Sequence, residues 1–143
     1  MSERVQRSSP IKVEGVTTLL EVFDMGESVA FYRDKLGFEV VHTSNPGADF
    51  TWALLELDGA ALMLNTAYDE GDRPPERDRG RAAAHRDTAL FFQCRDLDAA
   101  YRHLLAKGVE VAEPTLREYG MRQLWLRDPD GFRLCLQCPA RGE

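Results

Sequence analysis

Hydrophobic and polar positions along the chain fall into two series of the same order. Val16 to Phe23, rich in Val, Thr and Leu, predicts a strand. Asp24 then stands as a helix N-cap, with Glu27 three residues on to complete a capping box. Met25, Val29, Tyr32 and Leu36 fall at helical spacing and make one apolar face, and Gly37 supplies a left-handed stop. Phe38 to Thr43, Phe50 to Leu57 and Ala60 to Asn65 predict three further strands, with Asp58-Gly59 as the tight hairpin between the last two.

The second half repeats this order. Thr88 to Cys94 predicts a strand, Asp96 an N-cap, and Leu97, Ala100, Tyr101 and Leu104 a helical face that stops at Gly108. Val109 to Ala112, Met121 to Leu126 and Phe132 to Gln137 predict strands, the last two joined by Asp128-Pro129-Asp130-Gly131. Asp24 and Asp96 are 72 residues apart, as are Gly59 and Gly131. Landmarks in one order at one offset mark an internal duplication. The predicted fold is α+β: two tandem βαβββ modules, 11–66 and 88–138, forming a curved mixed sheet around a cleft with helices outside. Residues 1–10 and 139–143 read as tails. Ala67 to Asp87, with six acidic and five arginine side chains plus Pro74-Pro75, reads as a solvated linker or lid.

Length permits one compact domain with a real core, since 143 residues are too few for two ordinary ones. No stretch approaches the roughly 20 apolar residues that cross a bilayer, and Met1 to Pro10 lacks the apolar run of a signal peptide. A cytoplasmic protein with no membrane partner is expected. The net charge of −6 argues against nucleic acid and slightly favours a cationic ligand. Cys94, Cys135 and Cys138 show no secreted disulfide spacing. Cys135 and Cys138 do spell C-x-x-C, but on a strand, where residues three apart face opposite ways.

Phe31-Tyr32-Arg33-Asp34-Lys35-Leu36-Gly37-Phe38, with Asp24 ahead of it, and Asp128-Pro129-Asp130-Gly131-Phe132 resemble the vicinal-oxygen-chelate superfamily of glyoxalases, extradiol dioxygenases, and fosfomycin- and bleomycin-resistance proteins. The resemblance covers Ile11 to Cys138. It implies a homodimer and, in metal-dependent members, four ligands on the first and last strands of each module. Carried over residue by residue, those positions are Thr17, Met63, Ala89 and Cys135. Such a set does not suit a divalent metal, which wants carboxylate or imidazole. None of His42, His85 and His103 lies at a ligand position. No metal and no cofactor are expected, and the chain resembles the bleomycin-resistance branch, which sequesters a ligand without chemistry.

Strand alternation then names the cavity wall. Counting by twos from the four positions places Leu19, Glu21, Ala61 and Asn65 on the inner face of the first module. The same count places Phe91, Gln93, Arg133 and Gln137 on that of the second. Leu62, Leu64, Leu134 and Leu136 face the helices instead. Trp125 and Tyr119 close the site from a third strand. The expected ligand-binding set is Thr17, Glu21, Met63, Asn65, Ala89, Phe91, Gln93, Trp125, Arg133 and Cys135, with Glu21 and Arg133 as polar anchors or as a mutual ion pair. The expected function is binding of a small organic molecule. The alternatives are an enzyme of the same superfamily, using a non-standard metal site or Glu21 as general base, and a structural dimer without ligand.

Overall fold

A computed structural model, described for residues 9–69 and 71–140, resolves the two series into two four-stranded sheets. The proposed tails lie largely outside the described residues. The first sheet holds β1 (Thr18–Val22), β2 (Glu39–Thr43), β3 (Trp52–Leu57) and β4 (Ala60–Thr66), ordered β1-β4-β3-β2. The second holds β5 (Ala89–Gln93), β6 (Thr115–Leu116), β7 (Met121–Arg127) and β8 (Arg133–Pro139), ordered β5-β8-β7-β6. In each sheet the outermost parallel pair, β1 with β4 and β5 with β8, is separated in sequence by a helix. The remaining pairs are antiparallel. A parallel pair needs such a crossover, whereas antiparallel neighbours join by short turns.

Helix α1 runs over Met25–Val29 and continues as a π-wound stretch, Ala30–Leu36; a separate helix, α3, spans Leu97–Ala106. Asp24 accepts from the Glu27 amide at 3.1 Å and Asp96 from the Ala99 amide at 3.0 Å, so both caps form as expected. The Glu27 side chain does not complete a capping box, because Arg77 takes its carboxylate at 2.6 Å. Gly37 ends the first helix at φ 100° and Gly108 follows the second at φ 77°. In the π-wound stretch the consecutive residues Phe31 and Tyr32 are both buried.

Alternation sorts the strands cleanly. Leu20, Val22, Ala53, Leu55, Leu62, Leu64, Leu124, Leu126 and Leu134 form one buried cluster with Val29, Tyr32, Leu97 and Leu104 from the helices. Each such leucine contributes roughly 1.5–3 kcal/mol by leaving water.

One expected strand is absent. Val109 to Ala112 joins no ladder, and only Thr115–Leu116 pairs with β7. The Val109 amide closes the helix end instead, donating to the Leu104 carbonyl at 2.9 Å, while its side chain is buried. Pro114 then has no amide to give to a ladder.

The linker is more ordered than its composition suggests. It carries helix α2 (Arg79–Ala84) and a turn at His85–Asp87. Asp78 caps α2 through the Gly80 and Arg81 amides, at 2.9 and 3.3 Å. Arg73 and Arg77 lie 5.1 and 4.9 Å over the Phe23 ring. His85 stacks on Phe132 at 3.9 Å and donates through Nδ1 to the Asp130 carbonyl at 2.7 Å. The segment thus straps one module to the other. Arg73, Arg77 and Arg81 look solvated in sequence because their partners belong to distant elements.

Candidate functional site

The two segments that carried the resemblance meet at the junction of the modules. Tyr32 Oη donates to Asp128 Oδ2 at 2.7 Å, and Asp128 Oδ1 accepts from the Asp130 and Phe132 amides, each at 2.9 Å. Asp130, buried, accepts from the Phe23 amide at 2.9 Å and from Ser28 Oγ at 3.3 Å. Burial pushes the Asp128 carboxyl up to about 6, against the hydrogen bonds that favour its charged form. Burial likewise holds the Tyr32 phenol well above its ordinary value, with the Asp128 charge adding to the effect. These groups join modules; they are structural.

The inner face of the first sheet is open. Thr17, just ahead of β1, is exposed, as is Leu19 at 42%. Register sets Leu19 beside Met63 and Glu21 beside Asn65. Asn65 Nδ2 donates to Glu21 Oε2 at 3.0 Å, and Arg81 holds the Glu21 main-chain carbonyl at 3.0 Å. Glu21 and Arg133 form no ion pair. The expected anchor pair is therefore replaced by two separate arrangements, one per sheet.

On the second sheet, Cys135 lies between Phe91 and Trp125 in register. The two rings meet edge to face, 5.3 Å between centroids, and the Arg133 guanidinium covers the indole at 4.9 Å. Trp125 Nε1 donates to Gln123 Oε1 at 3.1 Å, and Gln123 Nε2 donates to Gln137 Oε1 and Tyr119 Oη, at 3.0 and 2.9 Å. This chain of bonds fixes the indole plane. Ala89 sits beside Arg133, and Gln93 beside Gln137.

Trp125 and Arg133 line a cavity of about 1150 Å³. Its other walls are Phe31 and Lys35 from the first helix and the Gly108–Ala112 loop. Because β6 pairs only with Arg122 and Gln123, the edge of β7 beyond them is left to this cavity. Phe91 and Gln93 contribute to a second, mostly apolar cavity of about 690 Å³, with Phe38, Leu57 and Leu136. Thr17, Glu21, Met63, Asn65, Ala89 and Cys135 line neither, so the expected set is divided. Gln123, Lys35 and Arg127 were not among the expected residues. Gln123 was legible, since it lies two residues before Trp125 on one strand face. Lys35 comes from the other module and carried no sequence signal.

The donor set at the four family ligand positions does not fit a metal. Thr17, Met63 and Ala89 offer no strong ligand, and burial raises the Cys135 thiol to about 11, so it stays protonated at neutral pH. Among the described residues no three of His, Cys, Asp and Glu cluster in ligating range. Cys135 and Cys138 are both buried, but only Cys138 belongs to the central apolar cluster, which separates the C-x-x-C pair as alternation requires. Among the described residues no helix is long and apolar enough to cross a membrane.

Comparison with known proteins agrees with this architecture. The chain is 34% identical over 115 residues to an uncharacterised Bacillus subtilis protein, YwkD, covering 78% of this chain and 85% of that one. Its fold matches TnmS3, an antibiotic-binding protein from Streptomyces sp. CB03234, at TM-score 0.64 and 25% identity, over 90% of this chain and 99% of the other. It also matches a bleomycin resistance determinant encoded on transposon Tn5, at TM-score 0.66 and 24% identity, over 89% and 98%. The family model for the Glyoxalase/Bleomycin resistance protein/Dioxygenase superfamily matches residues 16–136. The chain belongs to that superfamily.

Proposed function

We propose that this protein binds a small organic molecule and holds it without transforming it. The observation that carries the reading is the Phe91–Trp125–Arg133 face beside a cavity of about 1150 Å³. Apolar wall from Phe31, Val109 and Val111 beside fixed polar groups is the combination that seats and orients a small molecule. An indole held by the Gln123 amide is a preorganised platform, and the likeness to an antibiotic-binding protein points the same way. The donor set at Thr17, Met63, Ala89 and Cys135 supports a site that works without a metal.

The working unit in this reading is a cytoplasmic homodimer of two modules, 11–66 and 88–138, joined by 67–87. Leu19 and Phe91, 42% and 49% exposed on the inner faces, are the apolar surface that a second copy would cover. Thr17, Glu21, Met63, Asn65 and Ala89 then complete the wall. The test is a thermal-shift screen of planar aromatic compounds, repeated on Trp125→Ala. A compound that raises the melting temperature of the native chain and loses that effect in Trp125→Ala supports the reading. A shift that survives the substitution places the ligand elsewhere, and multiple turnover of a bound compound replaces binding by catalysis.

A further inference from the structure

The chain has a surplus of acid, yet the cavity beside Trp125 carries basic side chains that nothing neutralises. Lys35, Arg127 and Arg133 all line it, and none of the three has a carboxylate within 4.0 Å among the described residues, although Lys35 Nζ donates to the Lys107 main-chain carbonyl at 3.4 Å. Of the acidic side chains in the same lining, Glu27 is held by Arg77 at 2.6 Å. Asp128 is taken by the Tyr32 hydroxyl and two backbone amides. Only Glu110, which is exposed, has neither partner. Arg127 and Arg133 against Glu110 leave the uncommitted charge around this cavity positive, against the sign of the whole chain.

Arg133 adds a second observation. Its Nε is shielded from solvent, and no acceptor lies within hydrogen-bonding distance among the described residues. A buried donor without an acceptor is costly, the more so on a charged group. The guanidinium is nonetheless held against a partner, 4.9 Å over the Trp125 ring. Around it Phe31, Val109 and Val111 provide apolar wall.

We infer that the ligand of this cavity is a planar aromatic acid, whose anionic group is received by Arg133 with Lys35 and Arg127 adding long-range attraction, while its ring lies against Trp125. The inference rests on the small-molecule reading and supplies its charge. It also reverses the slight preference for a cation that the net charge suggests. A planar carboxylate is matched two donors to two acceptors by a guanidinium.

The test is titration calorimetry of the full chain with 2-naphthoate, its uncharged amide 2-naphthamide, and the cationic 2-naphthylmethylammonium. The expected order is naphthoate tightest, roughly tenfold over the amide, with the ammonium weakest. Arg133→Gln should weaken naphthoate by far more than the amide and bring the two affinities close together, with Arg133→Lys restoring part of the difference. A melting curve on each variant confirms folding. Should Arg133→Gln not fold, the Lys35→Gln/Arg127→Gln double variant and the salt dependence of the unaltered chain take its place. Naphthoate affinity should then fall in the variant and with added salt, and amide affinity should not. Equal binding of all three probes, or tightest binding of the ammonium, overturns the anion assignment and leaves the small-molecule reading standing. Undiminished naphthoate binding in a folded Arg133→Gln, or in the double variant used in its stead, overturns it as well. If none of the three binds to the native chain, the aromatic-acid inference falls, and the thermal-shift screen with Trp125→Ala decides the small-molecule reading separately.

Discussion

Leu19 lies beside Met63 in the first sheet as Phe91 lies beside Cys135 in the second, and Glu21 lies beside Asn65 as Gln93 lies beside Gln137. The strands keep one register, and the leucines behind them pack alike. What differs is how the polar groups are spent. In the first sheet Glu21 and Asn65 satisfy each other. Across from Met63 stands Leu54, where the second sheet has Trp125 across from Cys135. Ala61 occupies the place that Arg133 occupies in the second copy, at the offset of 72 residues. One face has closed its polar groups upon itself, and the other has kept a cation and an indole available. The core side of a duplicated module is held by packing, while the inner side is free to diverge.

The strongest way to test that division is to damage the packing side alone. Leu134 is fully buried behind Arg133 and Cys135. Leu134→Ala should cost about 2–5 kcal/mol in urea denaturation through the cavity it leaves. The variant, where folded, should keep its affinity for a bound aromatic. A ligand defect larger than the stability loss would show that the faces are not independent.

Asp128 gives the next effect in size, and it has no counterpart in the first hairpin, which turns at Asp58-Gly59 and buries no carboxylate. The Asp128 value in the folded chain, about 6, lies above its ordinary 3.8, so the folded state holds the proton more tightly. This contribution is complete below about pH 4 and is lost as pH rises through 6, by roughly 3 kcal/mol at the limit. Stability measured from pH 4 to 7 should therefore decline more steeply in the native chain than in Asp128→Asn. Parallel profiles for the two proteins would show that burial does not perturb this carboxyl.

The two hairpin glycines sharpen the comparison further. A Cβ at Gly131 would lie 2.6 Å from the Ala82 carbonyl, and the residue has φ 88°. At Gly59 nothing lies within 4 Å. Gly131→Ala should cost about 1–3 kcal/mol and loosen the strap. Gly59→Ala should stay within about 1 kcal/mol, as surface changes do. Equal costs would mean that the linker helix does not rest on the second hairpin.

Much of this was legible in the chain. The Asp24 and Asp96 caps, the Gly37 stop and the apolar alternation are local signals, and local chemistry fulfils them. The family resemblance supplied four reference positions, and strand alternation counted the expected inner-face residues from them. Sequence reasoning failed where the decisive partner was distant. Val109 was assigned to a strand because its β propensity is visible, while the helix end that claims its amide is not. Arg77 looked solvated because Glu27 is 50 residues away. Lys35 entered the cavity only through the packing of one module on the other. Glu21 and Arg133 shared a face pattern, but alternation cannot say how far apart two sheets stand.

The smallest expected effect decides whether the two faces serve one site. Glu21 is half-buried, and its carboxylate accepts a single side-chain hydrogen bond, from Asn65 at 3.0 Å. In Glu21→Gln the new amide oxygen can accept the same bond, so the loss is a charge and not an acceptor. Stability should change by less than about 1 kcal/mol in urea denaturation, because a partly solvated group gains little from its charge. Binding is the informative measurement. If the first face completes the wall around a ligand seated on Trp125, removal of a negative charge alters the affinity of an aromatic acid and that of its neutral amide differently. Tighter binding of the acid alone would mark Glu21 as a repelling neighbour within the same site. Identical affinities for both probes in Glu21→Gln and the native chain would separate the faces, leaving the second sheet to bind and the first to carry only its own hydrogen bond.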